Sequence, residues 1–153
     1  YFVGDDKNIS FTKKLSLEIN NYELGDCCRI MGHIKDMKYI YKLSHLVVNA
    51  SQKPEGFGRV VAEAMASGKP VIAYDHGGVS EQISILDENL RIPINNIQKM
   101  AQSIDNILNM SQESINLIGK ISSSFIKKNF TKQNMISSTL NLYNNLLNLR
   151  EYE

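Results

Sequence analysis

Short apolar runs alternate with segments of helical spacing along this chain, and this alternation constrains the fold more than any other feature. The β-branched run Leu46 to Asn49 is followed by a helical segment from Gly58 to Ser67 and then by a second apolar run, Val71 to Ala73. Strands that alternate with helices are typical of parallel sheets, because a parallel connection needs a crossover segment. The sequence therefore predicts an α/β fold, a three-layer α/β/α Rossmann-like parallel sheet formed by residues 1–153 as a single domain.

The remaining segments continue the pattern and end in helices. Gly25 and Gly68 predict helix ends, and Thr131 is placed to cap the last helix. Further strands are predicted at Phe2-Val3, at Arg29 to Gly32 and at Leu90 to Ile92, and further helices at residues 11–22, 37–44, 79–83, 97–108, 111–129 and after Thr131.

The loop between the two apolar runs has the residues of an anion site. Gly56 and Gly58 lack a Cβ, so a ligand can approach their backbone closely. The helix that follows directs its unpaired N–H groups and the positive end of its dipole to the same place. Glu55 and Glu63, eight positions apart, can lie on one side of that helix start. Two acceptors around a phosphate site suit a sugar diphosphate joined to a ribose.

The same stretch carries a family resemblance. Residues 54–73, P-E-G-F-G-R-V-V-A-E-A-M-A-S-G-K-P-V-I-A, resemble the signature of retaining glycosyltransferases of the GT-B architecture, in the glycosyltransferase group 1 family. Val3-Gly4-Asp5, Arg29 to Ile34 and Tyr74 to Glu81 agree with strands and loops of that family. The resemblance runs from about Phe2 to Glu81, and it implies the C-terminal, donor-binding domain of such an enzyme.

The resemblance also implies roles for individual residues. Glu55 would be the catalytic residue that contacts the donor sugar, and Glu63 would hold the ribose hydroxyls. Arg59 flanks the phosphates. The other substrate-binding residues that it implies are Gly56, Phe57 and Gly58 at the hexose and phosphates, and Gly32, His33 and Ile34 near the base.

Plainer interpretations stand beside these roles. Glycines before a helix are common caps, and Lys53 and Arg59 can be solvated surface cations. Glu63 needs a hydrogen-bonding partner if it is buried, which a ribose would supply, or else it faces solvent. His33 and His76 are expected to be polar loop groups, and Glu81 is expected to favour a helix start by its charge.

The implied activity is transfer of a sugar, with retained anomeric configuration, from a UDP- or GDP-sugar to an acceptor saccharide or lipid-linked saccharide. Cell-envelope polysaccharide or lipopolysaccharide synthesis is the expected context. No cofactor or metal is implied, and the chain contains no Asp-x-Asp triplet. One alternative is a non-catalytic nucleotide-sugar-binding or interaction module. A nicotinamide-dependent oxidoreductase ranks lower, because no G-x-G-x-x-G follows the first strand.

The family's acceptor domain and the first strand of its donor domain have no counterpart in the sequence, nor do the arginine and lysine that neutralise the leaving diphosphate. We therefore expect an N-terminal domain or subunit as partner, and no activity from this chain alone.

Composition sets further bounds. At 153 residues and 42% hydrophobic content the chain can form one α/β core. A net charge of +1 gives no electrostatic footprint for nucleic acid. The adjacent pair Cys27 and Cys28 matches neither a zinc nor a C-x-x-C spacing, so reduced thiols are expected. No apolar run reaches membrane-spanning length. We expect a cytoplasmic protein, associated with the inner face of the membrane only through the missing domain.

Overall fold

The computed structural model describes residues 1–4 and 9–150, with side chains through residue 147. The chain divides into two compact units, Tyr1–Tyr39 and Ile40–Glu153. Asp5, which belongs to the predicted Gly-Asp loop, lies outside the described residues.

The first unit contains a two-stranded parallel sheet and a helix. Strand β1 (Phe2–Val3) pairs with β2 (Ile30–Gly32), and helix α1 (Ile9–Asn21) lies between them in sequence. The pairing is irregular, since Phe2 is opposite Ile30 whereas Val3 is opposite Gly32. Helix α1 ends a few residues before the predicted Gly25, and Glu23 takes a left-handed conformation with φ of 55°.

The second unit contains a three-stranded parallel sheet in the order β3-β4-β5. Helix α2 (Met37–Leu43) crosses the boundary between the units after Tyr39. Along the chain follow β3 (Val47–Asn49), α3 (Arg59–Ala66), β4 (Val71–Tyr74), α4 (Gly78–Ile83), a 3₁₀ turn (Glu88–Leu90), β5 (Arg91–Ile92), α5 (Ile97–Leu108), α6 (Gln112–Asn129) and α7 (Lys132–Arg150).

The core of the second unit forms around β4 and α3. All four residues of β4 are buried, as expected for the central strand of a parallel sheet. Helix α3 contributes Val61, Ala64 and Met65, which are fully buried. It ends where Gly68 adopts a left-handed φ of 72°, a conformation that glycine adopts at low cost.

Helix α6 approaches the end of α3 through a residue without a side chain. Gly119 lies so close to the carbonyl group of Gly68 that a Cβ would collide with it. The Ser123 hydroxyl donates a hydrogen bond to the Ala66 carbonyl at 3.0 Å. Gly119, Ser122 and Ile126 are the buried residues of α6.

The predicted parallel α/β class is confirmed, and each predicted strand and helix is present with ends that differ by a few residues. The described strands form two hydrogen-bonded sheets, of two and three strands, where the sequence predicts one. The single-domain organisation stays a prediction.

Candidate functional site

The loop after β3 turns sharply into helix α3 at Gly58. Gly58 precedes the helix with φ of 78° and ψ of 58°, in the left-handed region. A Cβ at this position would collide with the side chain of Val79. Both the backbone conformation and the available space therefore require glycine here.

The start of α3 lacks a side-chain cap. The Gly58 carbonyl accepts the first helical hydrogen bond, from Ala62 N at 3.2 Å, but no side chain bonds to the N–H groups of the first turn. Unpaired N–H groups at a helix start carry partial positive charge and can bind an anion. The predicted anion site thus has its backbone donors available.

Glu55 is held at the carboxyl end of β3 by Asn49. The Asn49 amide Nδ2 donates to Glu55 Oε1 at 3.1 Å, and Asn49 Oδ1 accepts from the backbone N–H of Ser51 at 3.0 Å. Asn49 is buried whereas Glu55 is half-buried. A buried side chain with both polar ends bonded orients the carboxylate of Glu55.

The loop after β4 packs against the backbone of the Glu55 loop. Gly78 N donates to the Glu55 carbonyl at 2.8 Å, and a Cβ on Gly78 would collide with the Gly56 carbonyl. Gln82, which is fully buried, donates from Nε2 to the carbonyl of Phe57, while its Oε1 has no partner among the described residues. These contacts fix the path of residues 55–57.

The carboxylate of Glu63 has two protein partners. The Tyr41 hydroxyl donates to Oε2 at 3.2 Å and Arg59 Nη2 donates to Oε1 at 3.0 Å. The side chain of Arg59 is 84% exposed and that of Glu63 is 39% exposed. Burial, followed by the negative charge of Glu63, raises the pKa of Tyr41 to about 12. Glu63 thus has partners without a ribose, and its contact with a ribose stays a prediction.

The ring of Phe57 is shared between solvent and the protein. It is 46% exposed, and its centroid lies 5.9 Å from that of Phe130, at the end of α6. Phe130 in turn lies 5.9 Å from Phe125. The three rings anchor the loop to α6 and leave one part of Phe57 accessible.

The residues around β4 and β5 are held by polar contacts. Asp75 accepts from Arg91 Nε at 3.1 Å and Nη2 at 2.8 Å. A hydrogen bond from the Ser80 hydroxyl, together with Arg91, lowers the pKa of Asp75 below its usual value. His76 Nε2 lies 2.7 Å from the Ser51 carbonyl, in agreement with the predicted polar loop role. Glu81 occupies the first turn of α4, as expected.

The residues predicted near the base belong to the first unit. Gly32 ends β2 with a left-handed φ of 65°, and its carbonyl accepts from Gly4 N at 3.1 Å. His33 is exposed and Ile34 is half-buried. Glu55 to Gly58 thus lie in the loop before α3, and Arg59 and Glu63 lie on α3 itself. A shared ligand site for these residues and for Gly32, His33 and Ile34 stays a prediction.

Two concave surfaces lie elsewhere in the second unit. One, of about 900 Å³, lies between the end of α3 and α6, and the other, of about 510 Å³, between α5, α6 and the segment after α4. No predicted site residue lines either of them. Backbone donors and oriented carboxylates, rather than cavity size, therefore define the candidate site. Within the described residues no cluster of three or more His, Cys, Asp or Glu is placed to hold a metal ion.

Sequence reasoning missed three residues that support the site: Asn49, Tyr41 and Gln82. A polar residue at the end of an apolar strand was a usable signal for Asn49, because ligands lie beyond such strand ends. Tyr41 and Gln82 lie on other helices and contact the site only in the folded chain.

No described helix is long and apolar enough to cross a membrane.

Three features define the class of protein: the parallel sheet, the glycine loop beyond β3 and the uncapped start of α3. They belong to an α/β protein with the loop-to-helix geometry of nucleotide-binding domains. The profile of the glycosyl transferases group 1 family matches residues 2–123, and the chain belongs to that family.

Individual relatives agree with this assignment. The lipopolysaccharide core biosynthesis mannosyltransferase LpcC of Rhizobium leguminosarum bv. viciae is 35% identical over 77 residues, which are 50% of this chain and 22% of LpcC. The structure of a glycosyltransferase from Rickettsia africae ESF-5 matches with a TM-score of 0.83 and 28% identity, over 95% of this chain and 39% of that one. Anabaena Alr3699/HepE in complex with UDP and glucose matches with a TM-score of 0.81 and 26% identity, over 91% of this chain and 39% of that one.

The chain spans between 11% and 29% of the length of the curated relatives that it matches.

Proposed function

We propose that this chain binds a nucleoside diphosphate sugar and is the donor-binding part of a retaining glycosyltransferase. The observation that carries the proposal is the uncapped start of α3 beside a Glu55 carboxylate that Asn49 orients. A diphosphate needs positive potential and backbone donors, and a sugar hydroxyl needs an acceptor. The segment from Glu55 to the first turn of α3 offers both.

The proposed roles follow the order of groups in the ligand. The diphosphate lies at the N–H groups of Gly56, Gly58 and the first turn of α3, where Arg59 offsets its charge. Glu55 and Phe57 face the transferred sugar. Glu63 accepts from the ribose hydroxyls. Gly32, His33 and Ile34 lie near the base.

In the reaction, the oxygen of the acceptor hydroxyl forms a bond to the anomeric carbon while the bond from that carbon to the diphosphate oxygen breaks, and the hydroxyl proton passes to the leaving diphosphate. The leaving diphosphate gains negative charge as the bond breaks. The helix start stabilises this charge, and preorganised donors of this kind are worth on the order of a few kcal/mol each.

The proposed donor is a UDP- or GDP-sugar and the proposed acceptor an envelope saccharide, and two relatives support the UDP donor and the lipopolysaccharide context. HepE has been crystallised with UDP-glucose and with UDP, and LpcC is named for lipopolysaccharide core synthesis. We propose an acceptor saccharide or lipid-linked saccharide that is bound by another part of the enzyme, an N-terminal domain or subunit. The proposed place of action is the cytoplasmic side of the membrane.

Calorimetric titration of the 153-residue chain with UDP, GDP and UDP-glucose tests the proposal. We expect saturable binding of at least one of them, and Glu63→Ala should weaken it about tenfold or more, the usual cost of losing a hydrogen bond to a charged group. Glu18→Ala, at an exposed position of α1, is the control and should bind as the wild type does. A folded chain that binds none of the three ligands would refute the proposed function.

A further inference from the structure

The phenol of Tyr41 is buried against the carboxylate of Glu63. Tyr41 is 3% exposed and lies on α2, whereas Glu63 lies on α3, 22 positions later in the chain. Its hydroxyl donates to Glu63 Oε2 at 3.2 Å. A buried hydroxyl that lost this acceptor would remain unpaired, which is costly, so the contact is expected to persist.

The two partners of Glu63 differ in mobility. Tyr41 is enclosed by protein, so its hydroxyl stays where it is. Arg59 is 84% exposed and bonds Oε1 across one turn of the same helix. Exposed ion pairs of this kind are weak, so solvent or a ligand can replace the guanidinium. The carboxylate therefore has one fixed oxygen, Oε2, and one exchangeable oxygen, Oε1.

A carboxylate held by one oxygen has a defined plane. The terminal torsion angle of a glutamate side chain normally covers a broad range. A fixed donor on one carboxylate oxygen removes most of that freedom. The other oxygen, Oε1, then points in a defined direction. Preorganising an acceptor in this way raises affinity for a ligand whose donors match the geometry.

We propose that Tyr41 is a positioning residue that orients Glu63 toward the ribose diol and so makes the site selective for ribonucleotides over nucleotides that lack ribose hydroxyls. This inference rests on the proposed function. Tyr41 itself does not touch the ligand. It acts by leaving Oε1 of Glu63 free for the diol once Arg59 turns away toward the diphosphate.

The test compares UDP and GDP with their dideoxy analogues, which lack both ribose hydroxyls, on the wild-type chain and on Tyr41→Phe. The wild type should prefer the ribonucleotide about tenfold or more, since two hydroxyls lose a charged acceptor. Tyr41→Phe should weaken the ribonucleotide about five- to tenfold and leave the dideoxy analogue unchanged, so that the preference shrinks. Tyr39→Phe, exposed on the same helix, should retain the wild-type preference.

Each outcome decides a different point. If Tyr41→Phe weakens both ligands equally, or neither of them, the preference for the ribonucleotide is unchanged. Either result would overturn the inference, and equal weakening would show a merely structural role. A wild type that binds nucleoside diphosphates without preferring ribose would also overturn it while leaving the diphosphate site intact. A wild type that binds no nucleoside diphosphate would refute the proposed function itself.

A second measurement requires no variant. In a chain with isotopically labelled tyrosines, the resonance of Tyr41 should shift when the ribonucleotide binds, because the shared carboxylate changes its other partner. The dideoxy analogue should leave it in place. Identical shifts with both ligands would contradict the inference even if Tyr41→Phe fails to fold.

Discussion

Gly78 donates its backbone N–H to the Glu55 carbonyl at 2.8 Å, and this bond joins the loop beyond β4 to the loop beyond β3. The approach is so close that a Cβ on Gly78 would lie against the carbonyl group of Gly56 and 3.1 Å from Phe57 Cα. Backbone atoms, not flexible side-chain ends, fill that space. The conformation of the candidate sugar loop therefore depends on a residue of the following loop.

Gly78→Ala is expected to lower the free energy of unfolding by about 1–3 kcal/mol, because the added methyl forces the two backbones apart. Urea unfolding followed by circular dichroism measures the change. Gly56→Ala is the matched control, since a Cβ at Gly56 meets no atom within 4 Å. Equal stability of the two variants would show that the loops can separate without cost.

Arg59→Ala should weaken UDP binding a few-fold at low salt, with the difference shrinking as salt is added, because an exposed cation near a phosphate is screened by ions. Binding of uridine, which has no phosphate, should be unchanged or slightly tighter, since Glu63 Oε1 loses its competing partner. Calorimetry with both ligands measures the contrast. Lys13→Ala, on α1, is the control, and parallel losses for UDP and uridine would contradict a phosphate role.

The contact between Tyr41 and Glu63 predicts a loss of stability in alkali. The pKa of Tyr41 is raised from 10.0 to about 12, by burial and by the neighbouring carboxylate. The unfolded chain therefore releases this proton first, so the contribution of Tyr41 is complete below pH 10 and is lost as the pH rises toward 12. Unfolding free energies across that range should fall more steeply for the wild type than for Tyr41→Phe, whereas Tyr39→Phe should follow the wild type. If the unfolding free energies of the wild type and Tyr41→Phe fall in parallel with pH, Tyr41 does not cause the loss of stability in alkali.

The lowered pKa of Asp75 predicts a loss of folding stability in acid. A hydrogen bond from Ser80, with further help from Arg91, holds the pKa of Asp75 below its usual 3.8. The unfolded chain takes up this proton first, so the stabilisation is present above pH 3.8 and is lost as the pH falls below that value. Ser80→Ala should lower the unfolding free energy at neutral pH by about 1 kcal/mol and reduce the acid slope.

Urea unfolding at a series of acidic pH values measures that slope. Ser124→Ala, at an exposed position of α6, is the control for loss of a serine hydroxyl. If the acid slope of Ser80→Ala equals that of the wild type, the hydroxyl does not stabilise the ionised carboxylate.

The helices were the most predictable part of the fold. The apolar stripe of α5 gives residues 97–108 from its spacing alone, and the structure places the helix at Ile97–Leu108. Ser111 caps α6 by accepting from Ser114 N, and Thr131 accepts from Asn134 N at the start of α7. Periodicity and capping are local properties, so the sequence alone reveals them.

The strands were predictable in position but not in pairing. Three of them pair as β3-β4-β5, and β1 pairs with β2 in the other unit. Short apolar runs indicate a strand, yet nothing within such a run specifies its neighbour, because the pairing is decided by hydrogen bonds between distant segments.

The sequence by itself determined the glycine loop, the helix start and the pair Glu55 and Glu63, since each depends on residues near one another in the chain. Only the tertiary structure decided what holds these groups in place. Asn49 orients Glu55, Gln82 holds the Phe57 carbonyl, and Tyr41 fixes Glu63. Hydrogen bonds between separate elements form only when packing brings buried donors and acceptors together, and that arrangement follows from the whole folded unit rather than from any local pattern.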